Sequence, residues 1–459
     1  LDFEFVKNII DRENSEGFVK GVVVQFGGQT PLRIANKLKE FGYNILGTSF
    51  DAIDISEDRE RFQQLIQKVG LKQPKSDISI GTKELLKKTT KLNFPILLRP
   101  SYVLGGRMME KMNSSEDVQN YIDQNYWALE NNVILIDEFL KDAKEVDVDV
   151  LRDNSGNCMI AGIMEHIEEA GVHSGDSACC IPPFSLSNEI INSIKSFSKS
   201  LANELGAVGL MNVQYAIKDN EIYILEANPR ASRTIPFLAK AIGIPFIKIA
   251  AELIAGKSLS KEFIDFKPES LPYFAMKEAV FVFNKFPNTD VILGPEMKST
   301  GEVMGIDEDF NMAYLKSQIG SGHKLYDLKN IFVSVKDEDK EDIFEVVNSL
   351  SDNGYNIYTT RGTHEFLSKK GVSTNLVNKV AEGSPHVVEF IKEGKIDMII
   401  NTTENKQAIK DSFTIRRTAV DLNVPYFTNL RSAKILYKSL ISLKTIEISV
   451  KAIQNHHIY

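Results

Sequence analysis

The sequence is short of cysteine, of net basic charge and of long apolar runs, and each shortage excludes something. Its three cysteines, Cys158, Cys179 and Cys180, cannot staple a chain of 459 residues, and two of them are adjacent. No disulfide framework is expected, and a reducing compartment fits, the cytoplasm or an organelle matrix. Cys179 and Cys180 read as packing residues. A net charge of −8 argues against a nucleic-acid partner, because such proteins displace counterions with a basic surface. No apolar stretch approaches the roughly 20 residues that cross a bilayer, which speaks against a membrane partner. A signal-peptide pattern is also missing, as is a starting Met. A helix-like FEFVKNIIDREN leads at once into GVVVQF, so we expect a chain cut from something longer. What is present is ordinary for a globular protein, 43% hydrophobic and 25% charged residues, over a length that suggests about three domains.

The stretch GLMNVQYAIKDNEIYILEANPRASRTIP carries the densest chemistry. Met211 to Ile217 and Ile222 to Asn228 have strand-like alternation, and KDNE between them supplies turn residues. If Lys218 pairs with Ile222 around a three-residue loop, Gln214 lies opposite Glu226 with Asn228 further along the same face, and a one-residue slip would separate them. An amide oxygen, a carboxylate and a second amide oxygen make a hard-oxygen set suited to Mg2+ that shares ligands with phosphates. Arg230 and Arg233 follow, with planar forks suited to a carboxylate or a phosphoryl group.

Upstream, GVVVQF, GGQT and PLRIANKLKEFG read as strand, turn and helix. SEDRERFQQLIQKVGL reads as a helix with Ser56 as N-cap. FPILLRPSY is a buried strand that delivers Arg99 where it emerges, and Gly105 and Gly106 form a short loop after it. The alternation in EVDVDV puts Glu145, Asp147 and Asp149 on one face, a pattern that alone reads as a solvated edge. EANPRASRT, RPSYVLGGR and GVHSGDSA together resemble the ATP-grasp enzymes, and specifically the C-terminal half of the carbamoyl-phosphate synthetase large chain. The resemblance runs through essentially all of the sequence.

That resemblance implies an α/β and α+β multidomain fold: a truncated pre-ATP-grasp unit at 1–56, an ATP-grasp domain at 57–262, a connecting segment at 263–322 and a methylglyoxal-synthase-like domain at 323–459. It implies ATP with Mg2+ or Mn2+ as cofactors, the metal on Gln214, Glu226 and Asn228, and a catalytic set of Asn228, Arg230 and Arg233. Arg59 would meet the triphosphate, Arg99 would also belong to the nucleotide-binding set, and Gly105 and Gly106 would close over the phosphates. Glu138 to Leu140 would hold adenine, Glu145 the ribose, and Gly171, Val172, His173 and Ser174 would line the nucleotide pocket. Glu168, Asp176 and Glu278 match acidic positions that bind an amine effector in bacterial relatives.

From about Tyr326 the pattern restarts as alternating strands and helices, which predicts a parallel sheet. By the resemblance, Ser334, Lys340, Thr360, Thr363, Lys379, Asn401 and Thr403 would form a nucleotide-effector pocket at the strand ends, where open α/β sheets bind ligands. The lyase relatives carry a catalytic aspartate in a glycine-flanked loop; NTTEN stands here instead, which favours regulation over lyase chemistry. The implied activity is phosphorylation of carbamate to carbamoyl phosphate. The implied partners are the N-terminal half of the large chain and a glutamine amidotransferase, since this chain shows no glutamine-hydrolysing Cys-His pair. The resemblance implies a product that feeds arginine or pyrimidine biosynthesis or the urea pathway, and leaves open which. The rival readings are a catalytically silent nucleotide-binding regulatory module, against which the intact metal face speaks, and another ATP-grasp ligase such as a biotin carboxylase, against which the last domain speaks.

Overall fold

The computed structural model describes residues 1–100, 108–403 and 406–457. Among the described residues the strands form four sheets. Val22–Val23 and Ile45–Leu46 make a two-stranded parallel sheet flanked by the Phe3–Glu16 and Gln29–Glu40 helices. Ser76–Ile80, Val133–Glu138, Ile96–Pro100 and Glu110–Met112 make a four-stranded antiparallel sheet in that spatial order. The largest sheet has seven antiparallel strands, in the order Glu221–Asn228, Gly209–Lys218, Lys144–Arg152, Cys158–His166, Cys179–Ile181, Phe274–Val280 and Gly301–Asp307. The last sheet is five-stranded and parallel. Antiparallel sheets beside a parallel unit give the multidomain α/β and α+β class that the sequence predicts.

One face of the seven-stranded sheet is apolar for a reason visible in the chain. Val146, Val148, Val150, Met211, Val213 and Tyr215 alternate onto it, and the Asn188–Leu205 helix lays Ile190, Ile191, Ile194, Leu201 and Leu205 across it. Ser187 caps that helix and Gly206, in the left-handed region at φ 66°, ends it. Each fully buried aliphatic side chain contributes about 1.5–3 kcal/mol, so this layer anchors the sheet behind the site. The other face is polar over the strands that carry Gln214 and Glu145, and becomes apolar where the Thr234–Ile242 and Phe246–Ile254 helices cover it.

Three expectations are corrected. The hairpin loop has two residues: Lys218 pairs with Glu221 around Asp219 and Asn220, both with positive φ, 51° and 62°, the geometry of a type I′ turn. A bulge at Leu225 then restores the register, so Gln214 does face Glu226 and Asn212 faces Asn228. Ser56 caps nothing, because the Phe50–Glu57 helix, capped by Ser49, runs through it; Asp58 caps the following helix, accepting from the Arg61 amide at 2.8 Å. EVDVDV is no solvated edge: its strand lies inside the sheet, and Asp147 and Asp149 are 2% and 1% exposed. Gly105 and Gly106 lie outside the described residues. The three cysteines are free and buried.

Segment 263–322 supplies the last two strands at one end of the large sheet, and its Phe310–Gly320 helix packs on the terminal Leu430–Ser442 helix in one continuous core. The last domain is pinned to the rest by Arg416, which is 1% exposed and paired with Asp290, and by Arg431, which donates to the carbonyls of His166 and Glu168 at 3.3 Å.

Gly305 tests this packing. A Cβ there would sit 2.2 Å from the Ala313 carbonyl and 2.5 Å from the Ser317 amide, backbone atoms that cannot rotate away. Gly305→Ala is expected to cost about 1–3 kcal/mol or more in urea unfolding, whereas Gly301→Ala, with nothing within 4 Å of its Cβ, leaves the midpoint within about 0.5 kcal/mol.

Candidate functional site

The polar face is built by register. Gln214 stands between Asp147 and Glu226 on neighbouring strands, and Asn212 between Asp149 and Asn228. The Gln214 amide nitrogen donates to the Ser174 hydroxyl at 3.3 Å, which turns the far loop toward the sheet. The Asn228 amide nitrogen donates to Glu226 at 2.8 Å, and its oxygen accepts from Arg230 at 3.3 Å. Glu226, Asn228 and Arg230 are thus linked by hydrogen bonds, and Gln214 stands opposite Glu226 in the register. Arg233 stands at the start of the next helix, exposed and against Met297. Burial pulls the Arg230 guanidinium below its ordinary range, and its Nε is buried without a partner among the described residues. A buried, unpartnered guanidinium nitrogen beside oxygen ligands suits an incoming anion, and the oxygen set suits a hard cation.

The turn that carries these arginines is held from two sides. Gln25, 0% exposed, donates to the Pro229 carbonyl at 2.8 Å and accepts on its own carbonyl from Ala231 at 2.9 Å. From the sheet, Asp149 accepts from Asn212 at 3.1 Å and from the Thr234 hydroxyl. Neither Gln25 nor Asp149 was predicted as a site residue.

The four-stranded sheet brings two further predicted cations together. Arg59 and Arg99 each lie 3.4 Å from Asp137, whose carboxyl is pushed up by burial against the pull of both guanidinium groups. The Arg99 Nε is buried without a partner among the described residues. Asp137 was missed in the sequence, although it alternates with the buried Ile134 and Ile136. The segment linking this sheet to the large one is rigidly seated: the Glu138 amide donates to the Lys75 carbonyl at 2.8 Å, Phe139 to Pro95 at 3.0 Å and Ala143 to Leu140 at 3.2 Å.

Glu145 is half-buried, and desolvation pushes its carboxyl up. It accepts from the Gly171 amide at 2.9 Å and lies 3.7 Å from His166, which in turn meets Asp147 at 3.0 Å. The Val172 amide donates to the Glu169 carbonyl at 3.4 Å. His173 accepts on Nδ1 from Gly175 at 3.0 Å, and burial together with Arg233 lowers its pKa, so the ring is neutral with its proton on Nε2.

The acidic trio divides. Glu168 and Glu278 are buried near each other; burial, then the charge of Glu168, pushes Glu278 well above the carboxylate range. Asp176 instead accepts from the backbone amides of Lys298 and Ser299 at 2.8 and 2.9 Å.

In the parallel sheet the strand order is Asn375–Leu376, Asn356–Thr359, Asn330–Ser334, Met398–Asn401 and Tyr426–Phe427, with the change of direction between the two strands that end in Ser334 and Asn401. Ser334 and Thr360 share a hydroxyl contact at 2.9 Å, Thr363 accepts from the Val335 amide at 3.3 Å, and Asn401 donates to the Ser334 carbonyl at 3.0 Å. Lys340 pairs with Asp337 at 2.6 Å and lies beside Gly362. The Lys379 charge also reaches Asp337. Thr403 is half-buried at the strand end, and its neighbour Thr402 accepts from the Lys336 amide at 3.1 Å.

Comparisons with known proteins agree with this layout. Family models match along the chain: the carbamoyl phosphate synthase preATP-grasp domain at residues 1–55, the carbamoyl-phosphate synthase L chain ATP binding domain at 58–262, and the MGS-like domain at 342–428. The carbamoyl phosphate synthase large chain of Myxococcus xanthus is 47% identical over 99% of this chain, which spans 42% of that protein. The carbamoyl phosphate synthase large chain, C-terminal section, of Aquifex aeolicus is 45% identical over 99% of this chain and is itself covered to 86%. The fold is like that of a biotin carboxylase from Campylobacter jejuni solved as a β-γ-ATP complex, with TM-score 0.54, 15% identity, and 70% of this chain and 77% of that one covered. This chain therefore belongs to the carbamoyl phosphate synthase large chain family, and corresponds to its C-terminal section.

Proposed function

We propose that this chain transfers a phosphoryl group from ATP to carbamate, giving carbamoyl phosphate and ADP, and that its last domain regulates the reaction. The observation that carries the reading is the single polar face on which Gln214, Glu226 and Asn228 meet Arg230. A Mg2+ or Mn2+ ion held by those three oxygens would neutralise the phosphates. Arg230 and Arg233 would take the charge that spreads over the transferred group, and Arg59 and Arg99 the rest of the triphosphate. The neutral His173 would donate from Nε2, and Glu145 would accept from the ribose hydroxyls. Adenine would lie at Glu138 to Leu140. No side-chain nucleophile is required: a carbamate oxygen attacks the γ-phosphorus and ADP leaves, so catalysis is positioning plus charge neutralisation.

The domain division we propose is 1–56, 57–262, 263–322 and 323–459. Carbamate must be kept from water, which supports its delivery from the N-terminal half of a large chain, with ammonia supplied by a glutamine amidotransferase partner. The setting we propose is cytoplasmic. Ser334, Lys340, Thr360, Thr363, Lys379, Asn401 and Thr403 would bind a nucleotide effector, and Glu168, Asp176 and Glu278 an amine.

Two experiments follow. Glu226→Gln and Asn228→Ala are expected to slow ATP formation from ADP and carbamoyl phosphate by about 10²–10³-fold, with thermal midpoints moved by no more than about 2 °C; near-normal rates in either variant would sink the metal assignment. Lys379→Ala removes a charge-assisted contact of roughly 1.5–3 kcal/mol, so nucleotide titrations should show effector binding weakened about ten- to a hundredfold with effector-free turnover unchanged. Equal effector affinity in both proteins would refute the pocket.

A further inference from the structure

Asp149 is a buried carboxylate for which the reaction described above has no direct use. It is 1% exposed, on the inner Lys144–Arg152 strand beside the arginine-bearing turn. Burial pushes its pKa up to about 6, so a neutral side chain would be easier to accommodate at this place in the sheet. What it does there follows from its partners. One oxygen accepts from the Asn212 amide at 3.1 Å, the other from the Thr234 hydroxyl. The Thr234 and Ser232 hydroxyls are 2.6 Å apart. The Thr234 hydroxyl gives its proton to Asp149, and the Ser232 hydroxyl also acts on that carboxylate as a hydrogen-bond donor. The carboxylate thereby anchors a small cluster of hydroxyls, Ser232 and Thr234, that flanks Arg233 and follows Arg230 in the chain. Both arginines are felt electrostatically in this place: Arg233 disfavours the charge on Arg230, while Glu226 and Asp149 favour it. The turn between the arginines, Ala231 and Ser232, has only the small Ala231 side chain to pack against the core.

We propose that Asp149 is a positioning residue for phosphoryl transfer: through Thr234 and Ser232 it fixes the turn that aims Arg230 and Arg233, and its charge offsets the repulsion between them. This rests on the phosphoryl-transfer reading above. Its substrate-facing consequence falls on the transferred group rather than on the nucleoside, which is held by other elements.

The test uses the whole chain and ATP formation from ADP and carbamoyl phosphate, with ADP binding measured separately by calorimetry. Thr234→Val, which exchanges a hydroxyl for a methyl of similar size, and Asp149→Asn are each expected to lower turnover at least tenfold while the KM and the calorimetric affinity for ADP stay within about twofold. Thr234→Ser, which keeps the hydroxyl, should retain at least half of the wild-type turnover. The double variant Asp149→Asn, Thr234→Val should be no more than about threefold worse than the poorer single one, because both changes break one connection. Wild-type turnover in Thr234→Val would overturn the proposal, as would multiplicative losses in the double variant or a KM for ADP that rises in step with the loss. If Asp149→Asn does not fold, Thr234→Val decides alone; failure of both to fold would make Asp149 a core residue and refute the proposal. A wild-type chain that forms no ATP would instead overturn the phosphoryl-transfer reading, and this proposal with it.

Discussion

The antiparallel pairing of Gly209–Lys218 with Glu221–Asn228 is the constraint from which the rest of the site follows. Side chains alternate across a strand, so a slip of one residue would send Glu226 and Asn228 to the apolar face against the Asn188–Leu205 helix and bring Leu225 and Ala227 onto the polar one. Two local features set the register. The tight turn at Asp219 and Asn220 starts the pairing one residue early for Gln214 to meet Glu226, and the bulge at Leu225 takes up the extra residue. The apolar layer of Val213, Tyr215, Ile224 and Ala227 then makes other registers costly, since each would expose buried side chains to water.

Holding the oxygen ligands in place is not enough to hold the arginines that follow them. Arg230 and Arg233 repel each other, and only the small Ala231 side chain packs the turn between them against the core. The chain solves this with polar contacts from two distant parts of the sequence, Gln25 on one side and Asp149 on the other. The carbonyls accepting from Arg431 lie on the segment that also carries His166 and Glu168, so the last domain touches the backbone next to the nucleotide face. The two ends of the molecule share one core through Tyr314, Leu436 and Met276, which would give the proposed regulation a packed path rather than a flexible link.

Much of this was legible in the sequence, because local pattern and chemistry agree there. The alternation in MNVQYAI and ILEAN placed the metal-type oxygens on one face, and the threonines just past strand ends located the edge of the parallel sheet. The loop length was misread because KDNE satisfies a two-residue and a three-residue turn equally well, and a bulge leaves no mark in composition. EVDVDV was misread because alternation fixes which residues share a face and says nothing of what covers that face; here it is covered by the 171–177 loop and by Thr234. Ser56 looked like a cap because it stands just before acidic residues and a helical pattern, and the Phe50–Glu57 helix that runs through it went unread. Gln25, Asp137 and Asp149 went unseen for a common reason: each acts on residues far away in the chain, Gln25 on Pro229, Asp137 on Arg59 and Asp149 on Thr234, and a single sequence does not show such pairings.

The claim that the register creates a cation and phosphate site is tested most directly by crystals grown with Mn2+ and a non-hydrolysable ATP analogue, read in an anomalous difference map. The account expects a manganese peak at about 2.1 Å, the contact length of a hard cation, from side-chain oxygens of Glu226 and Asn228, with Gln214 at the same ion or at one beside it. A well-ordered nucleotide whose manganese lies away from all three residues would contradict it.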